Sequence, residues 1–159
     1  MQPHYFPWAG YFNLIFKSDK FIFLDDAQFS KGSWHNKNFI IINKQKYSFK
    51  VPILKSQLST NINEKIIDQK KKWKSKQVKT IIQSYSKHKF IDELNILLDF
   101  FLNLNSNNLS ELNIEIIKFI SNKLNISNDF LCSSEFKFKE KRTNKIIKIL
   151  KKLNAKEYI

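Results

Sequence analysis

The stretch Lys20-Phe21-Ile22-Phe23-Leu24-Asp25-Asp26 decides the fold class. Its apolar run, Phe21–Leu24, is too short for a helix and shows no polar alternation. A strand that is apolar on both faces must be covered on both, as parallel strands of α/β proteins are. Asp25 and Asp26 end the run, so the chain turns at what would be the strand's carboxyl end.

Working outward, Lys37–Ile42 and Lys46–Val51 are β-rich runs separated by Asn43, Lys44 and Gln45, the pattern of a hairpin. Upstream, Phe12, Ile15 and Phe16 predict a short helix over Ala9–Lys17. Pro3 and Pro7 make Met1–Trp8 a turn or loop. Lys55–Lys72 is polar, with a brief strand expected at Ile66–Ile67. Three helices follow, over Trp73–Tyr85, Phe90–Leu104 and Leu109–Leu124, each carrying an apolar stripe. Asn108 or Ser110 caps the last of them. Asp129–Cys132 reads as a strand and Lys141–Leu153 as a helix, while Glu157-Tyr158-Ile159 reads as the opening of a further strand. The expected architecture is a single α/β domain with a mostly parallel sheet, a β-hairpin insertion and a helical middle segment. A strand before Gln2 and a carboxyl-terminal portion would complete it.

The net charge of +14 invites a nucleic-acid reading, yet of 28 basic residues Arg142 is the one arginine. Specific phosphate recognition favours the guanidinium fork, so the lysines read as solvated surface and no nucleic-acid partner is expected. A single cysteine, Cys132, excludes an intrachain disulfide and fits a reducing compartment. No apolar stretch approaches the length of a membrane span. No secretory signal opens the chain either, so a cytoplasmic location is expected.

In open α/β sheets, ligands bind beyond the carboxyl ends of the strands. Three segments would lie there: Gln2–Gly10, Asp25-Asp26 and Ser133-Ser134-Glu135. In the first, prolines stiffen a loop that carries Gln2, His4, Tyr5 and Trp8, and Gly10 opens the following helix to close approach. The adjoining carboxylates of Asp25 and Asp26 suit binding an amine, orienting a histidine or holding a divalent ion. Two carboxylates make a poor metal signature, however, and no metal is expected. Gln28, Lys31, Trp34, His35, Asn36, Lys37 and Asn38 form a polar segment around one tryptophan, a composition that suits sugars. His35 is able to titrate near neutrality. No Gly-x-Ser-x-Gly elbow surrounds Ser133 or Ser134, which read as hydrogen-bond donors or caps. Cys132 reads as a small strand residue. Walker A, Gly-x-Gly-x-x-Gly and Cys-x-x-Cys spacings are all missing, so no cofactor is expected.

The segment Gln2-Pro3-His4-Tyr5-Phe6-Pro7-Trp8-Ala9-Gly10-Tyr11-Phe12 resembles the opening signature of WbqC-like proteins. So do Ser18-Asp19, Asp25-Asp26-Ala27-Gln28-Phe29, Lys31, Trp34, Asn36-Lys37-Asn38, Val51-Pro52, Trp73, Tyr85 and Ser133-Ser134-Glu135 in that order. Lys37 stands where the family more usually has arginine. The family pattern also carries a strand before the Gln-Pro motif and a glycine-containing region beyond Ile159. The resemblance implies a place in O-antigen or other surface-polysaccharide biosynthesis, with glycine transfer as a suggested activity.

The residues and the resemblance together lead to a transferase moving a small acyl or aminoacyl group, such as glycyl, onto an amino sugar. His4 would be the general base, with Asp25 or Asp26 orienting it or binding the amine. Trp34, Asn36 and Asn38 would hold the sugar, and Lys31 and Lys37 would meet nucleotide or carrier phosphates. The expected partner is a nucleotide-sugar or amino-sugar substrate; an acyl carrier protein is a further candidate. A non-catalytic sugar-phosphate or carrier-binding module is the second reading, and a nucleic-acid binder the third.

Overall fold

A computed structural model describes residues 1–57, 59–70 and 72–159, leaving two positions of the polar Lys55–Lys72 stretch outside the described residues. The elements run α1 (Ala9–Phe16), β1 (Lys20–Phe23), β2 (Lys37–Ile42), β3 (Gln45–Lys50), α2 (Trp73–Tyr85), α3 (Ile91–Asn103), α4 (Leu109–Lys123), β4 (Asp129–Cys132) and α5 (Arg142–Lys152). Single 3-10 turns lie at Ile62–Glu64 and Ser133–Phe136.

β1 and β4 pair in parallel, Lys20 opposite Asp129 through Phe23 opposite Cys132. Met1 extends this pair on the other side of β1. Its amino group donates to the Ile22 carbonyl at 2.7 Å, and the Leu24 amide donates to the Met1 carbonyl at 2.7 Å. Bonds to the residues either side of Phe23 are the parallel pattern. The chain segments after Met1, Phe23 and Cys132 therefore leave the sheet at one end.

β2 and β3 form a separate antiparallel hairpin, Lys37 opposite Lys50 through Ile42 opposite Gln45. Asn43 and Lys44 turn it with φ of +49° and +63°, the two left-handed residues of a two-residue hairpin turn. Ile66 and Ile67 make isolated bridges to Asn108 and Ile53 instead of a strand. Their neighbours belong to loops, so no ladder can propagate. Glu157–Ile159 form no strand either, and Tyr158 and Ile159 are exposed.

Helix α4 is the spine. Leu112 and Ile116 face a core built with Phe49, Val51, Leu98 and Phe101, whereas Ile114 and Ile117 face a second core with Tyr11, Ile15, Phe21 and Phe23. Its remaining face carries Glu111, Lys118, Asn122 and Lys123 to solvent. Asn108 caps it, accepting from the Ser110 and Glu111 amides at 2.8 and 3.2 Å.

Candidate functional site

The amino-terminal loop is fixed from three sides. The Tyr5 amide donates to the Trp34 carbonyl at 2.8 Å. Asn113, fully buried on α4 between the two cores, donates through its Nδ2 to the carbonyls of Pro3 at 3.1 Å and His35 at 2.7 Å. Asn38 donates from its Nδ2 to the Tyr5 carbonyl at 3.0 Å and also to that of Phe6. Phe6 needs this restraint, since its φ of +47° places a bulky residue in the left-handed region. That conformation costs about 1–2 kcal/mol.

His4 sits half-buried between the rings of Tyr11 and His35, each 5.7 Å away between centroids. Among the described residues its ring makes no hydrogen bond. Burial lowers its pKa, with the amino terminus adding to the effect, so the imidazole is neutral at physiological pH.

His35 is different. It is 2% exposed and both its nitrogens are engaged, Nδ1 accepting from the Ser30 amide at 3.4 Å and Nε2 lying 2.9 Å from Gln2 Oε1. A backbone donor on Nδ1 requires the proton on Nε2, which then donates to Gln2. Burial first, and neighbouring His4 second, lower its pKa to about 4. The expected titration near neutrality is corrected: His35 is a neutral wall holding Gln2 and flanking His4.

This shift has a measurable consequence. An unfolded imidazole takes up its proton near 6.5, whereas folded His35 does so only near 4. Between those values the unfolded chain binds more protons, so stability rises with pH across that window and is complete above it. Urea midpoints measured from pH 4 to 7 are expected to climb in the parent and to flatten in His35→Gln. An equal slope in both would remove His35 as the cause.

The carboxylates form a second cluster. Asp25 is buried and its oxygens are filled: Oδ1 accepts from the Ser134 amide at 3.0 Å and Ser133 Oγ lies 3.2 Å away, while Oδ2 accepts from Ser134 Oγ at 2.5 Å and Asn63 Nδ2 at 3.3 Å. Asp26, with its side chain 22% exposed, accepts from Ser133 Oγ at 2.5 Å and pairs with Lys145 of α5. The one Ser133 proton goes to the closer carboxylate, Asp26. No hydrogen bond joins either aspartate to His4 among the described residues, which corrects the orienting role expected of them. Tyr11 and His35 orient the imidazole by packing. Cys132 beside this cluster has its thiol pKa raised to about 11, by burial first and by Asp25 second, so it stays protonated.

The remaining expected residues divide between core and rim. Tyr5 is fully buried and donates to Gln77 Oε1 at 2.6 Å, so it serves the core and cannot touch a ligand. Asn36 donates to the Val51 carbonyl at 3.0 Å and, like Asn38, anchors the hairpin. Gln28 is exposed and bridges to Asn61 through the backbone; Lys31 and Glu135 are exposed. Lys37 places its ammonium 4.7 Å from the Phe39 ring centre. Trp8 and Trp34 are 64% and 50% exposed, flat apolar faces beside the loop that carries His4. Asn113, Asn63 and Lys145 complete the two clusters without having been singled out in the sequence. A lone asparagine within an apolar stripe was the readable trace of the first.

Gly10 is explained by Trp8. A Cβ at Gly10 would lie 1.6 Å from the Trp8 ring, which covers the first turn of α1. Because that ring is exposed, Gly10→Ala is expected to swing it away while changing stability by no more than about 1 kcal/mol. A changed near-ultraviolet dichroism with a retained melting midpoint is the expected signature; an unchanged spectrum counts against the contact.

A parallel pair flanked by helices, with a neutral histidine and a carboxylate–serine cluster at its carboxyl end, defines an α/β domain with a polar rim. The profile of the WbqC-like protein family matches residues 2–159, and the chain belongs to that family. It is 29% identical over 161 residues to "Uncharacterized protein Rv1507c" of Mycobacterium tuberculosis (strain ATCC 25618 / H37Rv), an alignment covering all of this chain and 69% of the relative. No solved structure matches. No helix among the described residues is long and apolar enough to cross a membrane.

Proposed function

We propose that this protein is a cytoplasmic transferase that moves a small acyl or aminoacyl group, such as glycyl, onto the amine of a sugar in surface-polysaccharide synthesis. The observation that carries the reading is His4: a half-buried, neutral imidazole with no hydrogen bond among the described residues, held by packing on a rigid loop. An imidazole that is unprotonated at neutral pH and has a free ring nitrogen is able to accept a proton as a general base. The amine nitrogen attacks the donor carbonyl, its proton passes to His4, and that proton leaves with the departing group. Asp26 is the carboxylate open enough to meet a cationic amine, in exchange with Lys145. Trp8 and Trp34 offer stacking faces for the sugar ring, and Lys31 and Lys37 offer charge for its phosphates.

The test is to incubate the protein with amino sugars, as nucleotide conjugates, and with glycyl and acetyl donors, and to follow product mass. A product carrying the added acyl mass is expected. Full activity in His4→Gln would overturn the assignment of the base. A second reading, a non-catalytic sugar-phosphate module, draws on the filled hydrogen bonds of Asp25, Ser133 and Ser134. Protection by the sugar nucleotide without turnover would favour it.

A further inference from the structure

The β2–β3 hairpin turns Phe49 inward and leaves its other face open to solvent. Pairing fixes what that face carries: Lys37 opposite Lys50, Phe39 opposite Ser48 and Ile41 opposite Lys46. Ile41, Lys46, Ser48 and Lys50 are all exposed. Trp34, itself half-exposed, meets the Phe39 ring edge to face, 5.8 Å between centroids, so an indole adjoins the patch.

The charges on this face have one sign, and they converge. Lys37 and Lys46 bring their ammonium groups to 4.7 and 4.1 Å from the centre of the same Phe39 ring. Lys50 stands directly across from Lys37, and like charges opposed on a sheet destabilise it. Neither strand has an acidic residue, and among the described residues no salt bridge reaches these three lysines. A bound anion would relieve that repulsion. Ser48, between Lys46 and Lys50 on the same face, adds a hydroxyl donor.

We propose that this face binds the diphosphate of a single nucleotide, whose base stacks on Trp34. Lys37, Lys46 and Lys50 meet the phosphates as point charges, which needs no guanidinium fork. The Phe39 ring alone separates the indole from two of the ammonium groups, close enough for one ligand to span both. A nucleic-acid strand would want successive aromatic platforms, whereas this face offers the one indole. The proposal deepens the reading of a sugar-nucleotide substrate and rests on it for the class of ligand; Lys46, Lys50 and Ser48 are new to it.

Calorimetric titration of the intact protein with uridine and guanosine diphosphates, pyrophosphate, uridine and an oligothymidylate tests it. Saturable binding of at least one nucleoside diphosphate is expected, tighter than that of pyrophosphate or uridine. Lys50→Glu separates binding from folding. It sets opposite charges across the strands, so the melting midpoint should hold or rise while nucleotide affinity falls by about tenfold or more. Trp34→Leu should weaken the nucleotide and leave pyrophosphate unchanged. No nucleotide binding, pyrophosphate as tight as either nucleotide, oligothymidylate bound without either nucleotide, or affinity untouched by Lys50→Glu would each overturn the proposal. Because binding is read without turnover, absence of acyl transfer would sink the catalytic reading and leave this one standing. Transfer whose KM for the sugar nucleotide ignores Lys50→Glu would do the reverse.

Discussion

His4→Gln is expected to lower the rate of acyl transfer by about a hundredfold or more, the usual contribution of a general base. KM should change little. The reason is local: the ring reaches no hydrogen-bonding partner among the described residues, so its removal subtracts a reactive nitrogen and little of the scaffold. Glutamine keeps much of the volume between Tyr11 and His35, so the melting midpoint should move by no more than about 1 kcal/mol in free-energy terms. The acid limb of the rate profile should fall below the ordinary histidine value, because burial lowers the pKa of His4. Turnover measured from pH 4 to 8 checks both statements. A loss confined to KM would make His4 a binding residue.

The second large effect concerns stability. Asp25→Ala is expected to destabilise the fold by about 3–5 kcal/mol. It would strand the Ser134 amide and hydroxyl and the Asn63 amide, all of which now donate to a buried carboxylate. Each such group left without a partner costs about 1–3 kcal/mol. Asp26→Ala should cost far less, about 1 kcal/mol, since its carboxylate is partly open and water can replace it beside Lys145. Urea denaturation of the two variants gives the contrast. Similar losses would show that the Asp25 network carries no special burden.

The frame of this domain was legible because it is written in local periodicity. Trp73–Tyr85, Lys37–Ile42 and Asp129–Cys132 form elements with the bounds expected of them, and KFIFL marks the central strand. The short pair Ile66–Ile67 misled because two residues suffice for a bridge, while a strand needs a ladder. Site chemistry was legible in residue type and much less in direction. Adjacent Asp25 and Asp26 look alike in sequence, yet one closes on Ser134 and Asn63 while the other opens toward Lys145. Asn113 was hidden because α4 carries several other polar residues, and nothing in residue type separates buried Asn113 from exposed Asn122. The bonds that settle these roles span separations of 38 to 119 positions along the chain, beyond any local window.

The role proposed for His4 is that of a free, neutral base on the rim at the sheet's carboxyl end. Nitrogen-15 spectra of the imidazoles, recorded from pH 4 to 8 with and without an amino-sugar nucleotide, address it directly. His4 is expected to titrate below 6.5 and to shift when the ligand binds, while His35 keeps its Nε2 proton and stays neutral until about pH 4. A His4 resonance indifferent to saturating ligand, with the perturbation mapped elsewhere, would contradict it.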